Sequence, residues 1–401
     1  MKTTSYFEFA HRTIVKSGSG THILTPDLIK DLGGTRPVLY ADKGITAAGL
    51  TKKIRNIFEI VPGIQLAGVF DDIDQDAKSS NINKGIKYFK ECNGDSIIAI
   101  GGGSVLDTAK AIKWAYSRKI DHIEAALTGN LLESSPEAQP FGIPHISIAT
   151  TAGTGAEVSS IAVVYNEPLG VKCNLMNPYL NSDIAILDPD LTVGLPPKIT
   201  AFTGMDALTH AVEGYFSGKS TTMSDAFALH AAKLIVNNLK TAVKNGSDVK
   251  ARAIMLQAST MAITSFQLAM AAIPIHNLAH TLGAKYGIPH GLANAILMPS
   301  VMTHLPQLYL PKIKEFSQAI GVQSNSDEPQ TLLADSIAII NNLREEIDLP
   351  ADFADFNIDP AHIPQLVPAV QADPSALSFR IPEDIIAKVC QDVVGTKVSV
   401  N

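Results

Sequence analysis

The sequence predicts an α/β domain built on a doubly wound, mostly parallel sheet, followed by an all-helical domain, with residues 1–193 in the first and 194–401 in the second. Three observations carry this. Short apolar runs alternate with helically spaced segments through the first half, the βαβα order that a parallel sheet requires. Between Asp188-Pro189 and Pro196-Pro197 the character changes to long Ala-, Leu- and Met-rich segments without a strand ladder. The 401 residues, 46% of them hydrophobic, suffice for two or three domains with a large core.

Strands are predicted at residues 38–41, 66–70, 97–100, 146–149 and 184–187, each bounded by Gly, Pro, Asp or Asn. Helical spacing of apolar residues predicts helices over 47–58, 78–89 and 105–116 between them. Beyond the boundary, helices are predicted over 200–216, 223–239, 249–272 and 332–347, and Pro306, Pro311, Pro350 and Pro360 punctuate the C-terminal third of the chain. There is no internal repeat and no low-complexity tract.

Composition excludes several functions. With 32 basic and 39 acidic residues, net charge −7, the chain has no broad field for polyanions, which disfavours nucleic acid as a partner. Cys92, Cys173 and Cys390 form no CxxC pair and no disulfide framework, so a cytoplasmic protein is expected. The first ten residues hold no continuous apolar run, so no cleaved secretory signal is expected. Residues 253–284 lack Lys, Arg, Asp and Glu and are long enough to span a membrane. They also hold Gln257, Gln267, Pro274, His276, Asn277 and His280, so a buried helix leading into a polar site is predicted instead.

Four constellations carry chemistry. Gly101-Gly102-Gly103-Ser104 lies directly between a predicted strand and a predicted helix. Such a turn lets bare backbone approach a pyrophosphate while free helical N–H groups point at the anion, although a plain β-to-α turn reads the same way. Asp42 closes the strand at 38–41. Its carboxylate can accept both ribose hydroxyls of NAD and repel the 2′-phosphate of NADP, or it can cap the helix starting near Ile45. Thr150, Thr151 and Thr154 belong to a polar loop, residues 150–155, after another strand, suited to phosphate or nicotinamide.

The fourth set is histidine and carboxylate. Asp206 and His210 stand four residues apart on one helical face, His276 and His280 repeat that step, and His290 sits in the turn Ile288-Pro289-His290-Gly291. An unpaired imidazole is costly in such apolar and turn contexts. One oxygen and up to three nitrogens suit Fe²⁺ or Zn²⁺, and an imidazole left over can serve as acid or base beside the ion; core histidines donating to helix carbonyls are the alternative.

With these motifs in view, the sequence resembles the iron-containing (group III) alcohol dehydrogenase family over nearly its whole length, most densely at residues 101–110, 150–157, 203–213 and 276–294. The resemblance implies a dehydroquinate synthase-like architecture with the catalytic cleft between the domains. It implies Asp206, His210, His276 and His290 as metal ligands and His280 as a proton-relaying histidine near the nicotinamide. It implies NAD contacts at Gly101, Gly102, Gly103, Ser104, Asp107, Thr150, Thr151, Thr154 and Lys172, with Asp42 at the adenosine ribose. The implied reaction is metal-assisted, reversible hydride transfer between NAD and a small primary alcohol, diol or hydroxy acid, by at least a homodimer. Hydroxyacid–oxoacid transhydrogenase and polyol dehydrogenase activities, a lyase of the dehydroquinate synthase type and a non-enzymatic scaffold are the rival readings. The chain departs from the family pattern at Asp76-Ala77, where the family has Asn-Pro, and at Val105, Ala149, Ala156 and Ser182.

Overall fold

The computed structural model describes residues 7–376 and 379–394. Its strands are β1 (Ile14–Ser17), β2 (Pro37–Asp42), β3 (Gly68–Ile73), β4 (Ser96–Gly101), β5 (Leu131–Leu132), β6 (His145–Ala149), β7 (Ile161–Asn166), β8 (Val171–Met176) and β9 (Ile184–Leu187). Six of them form a wholly parallel sheet in the order β1-β9-β6-β4-β2-β3. The helices threaded through this half are α1 (Thr25–Asp31), α2 (Lys43–Ala47), α3 (Leu50–Ile60), α4 (Ser79–Glu91), α5 (Gly103–Ser117) and α6 (Ile123–Ala126).

The parallel sheet is covered on both faces, which is why its central strands read as unbroken apolar runs. In β4, Ile97 and Ala99 enter one hydrophobic cluster while Ile98 and Ile100 enter another, the two-residue alternation of a strand serving two cores. Each such isoleucine, fully buried, contributes about 1.5–3 kcal/mol. Successive connections from β2 run first to β3 on one side and then back to β4 on the other, so the carboxyl ends of β2 and β4 flank the switch point where ligands of this fold class sit.

Local expectations for this half are corrected at several places. The strand predicted at 66–70 starts at Gly68 and runs to Ile73. The helix predicted at 47–58 is two, α2 and α3, broken at Gly49, whose φ of +79° no helix tolerates. The antiparallel pair β7–β8, with the short β5 beside β8, was not predicted. Its residues alternate between core and cleft, but in Ile161–Asn166 both faces carry apolar side chains, so the period of two is hidden. The exposed edge strand β1 was also missed, being four residues long and without an apolar face.

The second half contains α7 (Pro197–Phe216), α8 (Thr222–Lys244), α9 (Val249–Ala269), α10 (Pro274–Tyr286), α11 (His290–His304), α12 (Pro306–Tyr309), α13 (Ile313–Ala319), α14 (Pro329–Glu346), α15 (Ile363–Ala372) and α16 (Glu383–Val393). Helix α7 packs against α8, α9 and α11 together, so nearly all its side chains are buried and it lacks a polar stripe. Thr221 and Ser224 close a reciprocal capping box at the start of α8.

The helix predicted to run to 272 stops at Ala269, because Pro274 opens a new helix bent by 106° from α9. Among the described residues no single helix is long and apolar enough to cross a membrane. The bend turns the first residues of α10, His276 among them, toward α7.

Candidate metal centre and dinucleotide cleft

On α7 the spacing of Asp206, His210 and Glu213 places all three on one buried face. Glu213 acts on the incoming α10: its Oε1 accepts the Ile275 N–H at 2.6 Å, and its Oε2 pairs with His276 Nδ1. The His276 ring is thereby fixed with Nε2 facing Asp206 Oδ1, 3.7 Å away. From the start of α11, His290 brings Nε2 within 3.5 Å of the same oxygen. One turn on, Asn294 Nδ2 donates to Asp206 Oδ1 at 2.8 Å.

Asp206, His276 and His290 each offer one ligand atom, all within 4.8 Å of one another. Separations of 3.5 and 3.7 Å are too long for hydrogen bonds and leave a gap of cation size. His276 Nε2, His210 Nδ1 and His290 Nδ1 are buried without hydrogen-bond partners, a costly state unless another group satisfies them. His210 lies outside that triplet and stacks on His276, ring centroids 4.7 Å apart. The donor set thus fits a divalent transition metal, with one carboxylate and imidazoles in a buried pocket.

The electrostatics of Asp206, His210 and His290 agree with that fit, whereas His276 has to give up a proton to a bound ion. Burial works against ionising Asp206, yet the neighbouring His210, His276 and His290 outweigh it and hold the carboxyl well below its usual range. Burial pushes His210 down to about 4 and His290 down to about 3, which keeps both neutral and available as donors. Burial likewise opposes charge on His276, but Glu213 and Asp206 raise it to about 9. His280 is depressed well below an ordinary imidazole, chiefly by burial and further by the nearby Lys172 ammonium. Its Nδ1 lies 3.9 Å from Asp373 Oδ1, in a short turn that also accepts the Ser375 N–H.

Across the cleft, Gly101 ends β4, Gly102 precedes α5, and Gly103 is its first residue. A Cβ at Gly103 would lie 2.6 Å from Thr154 Cγ2, so the two loops touch only because the side chain is absent. Thr151 packs on Gly102 in the same way. Gly155, at φ +59°, leaves a hypothetical Cβ 2.2 Å from Ile263 on α9, bringing the threonine loop onto the helical half.

A cavity of about 220 Å³ joins the two sides. It is lined by Gly103, Ser104, Asp107, Thr154 and Lys172 from the first half and by Asp206, His210, His276, His280 and His290 from the second. Asp42, Gly101, Gly102, Thr150 and Thr151 are not among its lining residues. Asp42 caps α2, its Oδ1 accepting the Ile45 N–H at 2.8 Å, at the end of the strand next to β4. Thr150 is buried beside Thr200 and Arg252. Asp107 accepts from Lys110 Nζ and from the Val163 N–H, both at 3.1 Å, tying α5 to β7 as well as lining the cavity.

Comparison with known proteins decides the family. The family model for iron-containing alcohol dehydrogenase matches residues 12–189, and that for the family's C-terminal part matches residues 200–389. The chain belongs to the iron-containing alcohol dehydrogenase family. This alcohol dehydrogenase is 34% identical over 354 residues to a 1,3-propanediol dehydrogenase of Citrobacter freundii, covering 87% of this chain and 88% of the relative. It is 34% identical over 373 residues to a 1-propanol dehydrogenase of the same organism, covering 91% and 93%. Among solved structures, a 1,3-propanediol oxidoreductase superposes with a TM-score of 0.87 at 29% identity, over 96% of this chain and 99% of that one. A sulfoacetaldehyde reductase from Bifidobacterium kashiwanohense in complex with NAD+ gives 0.84 at 25%, over 98% and 100%.

The sequence of this dehydrogenase alone assigns no role to Glu213, Asn294 or Asp373. Glu213 follows His210 by three residues and Asn294 follows His290 by four, spacings that put each on its partner's helical face. Asp373 had no comparable signal, since it meets His280 from a turn outside α10.

Proposed function

We propose that the enzyme is an NAD-linked, iron-dependent dehydrogenase of small primary alcohols and diols, with Asp206, His210, His276 and His290 as ligands of the ion. One observation carries the reading: His210, His276 and His290, each with a buried ring nitrogen that has no partner, line with Asp206 the same cavity as Gly103 of the glycine turn. When bound, the ion supplies Lewis acidity that lowers the pKa of the substrate hydroxyl, and NAD supplies the hydride acceptor.

The protein's own residues do the rest. Glu213 holds the His276 ring in a single orientation, as carboxylates behind metal-binding histidines do. The free N–H groups at the start of α5 face the cavity beside Gly103 and Ser104, where a pyrophosphate binds well. Asp42 stands at the neighbouring strand end, where its negative charge favours NAD over NADP. His280, neutral in the cavity wall, relays the hydroxyl proton onward to solvent without retaining it, as its depressed basicity requires, while the carbon-bound hydrogen passes to NAD as hydride. Phe266, Met270 and Ile273 from the end of α9 and the turn after it close an apolar wall that keeps water from the reacting end. The three unpaired cysteines fit a reducing compartment, and a dinucleotide domain ending near residue 193 fits the change from sheet to helices.

The test is spectrophotometric NADH formation by iron-reconstituted protein with a panel of small alcohols, diols and hydroxy acids. Turnover that requires both the ion and added free NAD is expected. Turnover without free NAD would instead indicate a transhydrogenase, and no oxidation of any compound by loaded protein would overturn the reading.

A further inference from the structure

Strand β8 faces two ways. Cys173 and Leu175 point into the core, and Lys172, Asn174 and Met176 point into the cleft. Lys172 is the only lysine or arginine among the described residues lining the cavity. It lines the cavity together with His280 and His290, so it lies toward the reacting end.

Facing it is Asp76, in the loop between β3 and α4. Asp76 and Ala77 both have left-handed backbones, with φ of +73° and +45°. The loop is held there by two neighbours: the Asp76 N–H donates to Ser104 Oγ at 3.0 Å, and the Tyr165 N–H reaches the carbonyls of Asp76 and Ala77 at 3.3 and 3.2 Å. The carboxylate is thereby held beside β8, where Lys172 Nζ donates to Asp76 Oδ1 at 2.8 Å. The lysine side chain is 14% exposed and the aspartate 37%, so the pair sits at the cleft wall and is not fully solvated.

The other carboxylates close to Lys172 have their own partners. Asp107 accepts from Lys110 and Val163, and Asp373 accepts from Ser375. The opposite wall of Ile263, Phe266, Met270 and Ile273 has no group to hold an anion.

We infer that Asp76 is a specificity-determining residue: by engaging Lys172 in an ion pair it withholds the cavity's cationic side chain from the substrate, so neutral alcohols are taken in preference to hydroxy acids. The inference rests on the chain's being an alcohol dehydrogenase of small substrates and names the class within that range. Selection here comes from a charge already paired against the unwanted substrate, and it adds no contact to the wanted one.

The test compares 1-propanol with 3-hydroxypropionate, equal in chain length and different in charge, on iron- and NAD-supplied enzyme. Asp76→Asn is expected to shift the ratio of kcat/KM toward 3-hydroxypropionate by about tenfold or more, and Asp76→Asn with Lys172→Met to cancel that shift. Asp76→Gly, suited to the positive φ, gives a second route to the same shift. Calorimetric titration of the loaded protein with propionate, which cannot react, should show tighter binding to the Asp76 variants by a similar factor.

An unchanged ratio in variants that still oxidise 1-propanol would overturn the inference, as would a shift that survives loss of Lys172. Wild-type protein that oxidises no alcohol would overturn the functional reading instead. The propionate titration would still decide the role of Asp76.

Discussion

The two walls of the cleft are built from different materials. The sheet side offers backbone: a glycine turn, free N–H groups at the start of α5, and loops that touch because side chains are missing. The helical side offers side chains alone, with one aspartate oxygen as the hub of two imidazoles and an amide, in a pocket where several nitrogens lack partners. Backbone chemistry is carried by a few adjacent residues. Side-chain chemistry is carried by residues that meet only because three helices cross at the right place. The first is sensitive to added bulk, the second to removal of single atoms.

The largest effect belongs to the helical wall. Asp206→Ala or His276→Ala is expected to lose bound metal and turnover by about three orders of magnitude or more, read by metal analysis and kcat. His280→Ala is expected to retain the metal and slow turnover by about a hundredfold or more. Metal-dependent activity surviving in either of the first two would remove the contrast between the walls.

An intermediate effect belongs to the sheet wall. In Gly103→Ala the new methyl meets Thr154, 2.6 Å from Cγ2, and the two loops must part. KM for NAD is expected to rise by about tenfold or more while metal content stays unchanged, because no side chain of the helical wall is touched. An unaltered KM would show that the backbone at this turn does not carry the cofactor.

The smallest effect tests the backbone-binding character of the sheet half away from the cleft. Burial pushes Asp95 up, but hydrogen bonds from Thr35, Ser96 and the Arg36 N–H outweigh it and hold the carboxyl below its usual range. A carboxyl lowered on folding stabilises fully above its unfolded value of about 3.9 and loses that contribution as pH falls through the folded value. Asp95→Asn is therefore expected to lower Tm by about 2 °C at pH 7, with the difference fading below about pH 4. An equal difference at neutral pH and at about pH 3 would contradict this.

Much of the architecture was legible from local pattern. The apolar runs of β2, β4, β6 and β9 and the spacing in α4, α5, α7 and α8 signal themselves, since strand and helix periods are properties of neighbouring residues. The hairpin β7–β8 was not legible, because it packs one face on the core and turns the other to an apolar cleft. In the site, Asp206, His276 and His290 could be nominated by type and spacing. That Glu213 orients His276 and that Asp76 meets Lys172 could not, because those pairs are 63 and 96 residues apart.

The amino-acid order by itself determined the alternation of strand and helix, the bare turn after β4, and which side chains were chemically fit to bind an ion. Only the tertiary structure decided that α7, α10 and α11 present those side chains to one point, and that the lysine of the cleft is already paired. The reason is physical: period and turn preference arise from sterics between near neighbours, whereas convergence depends on the 106° bend between α9 and α10 and on packing among helices distant in the chain.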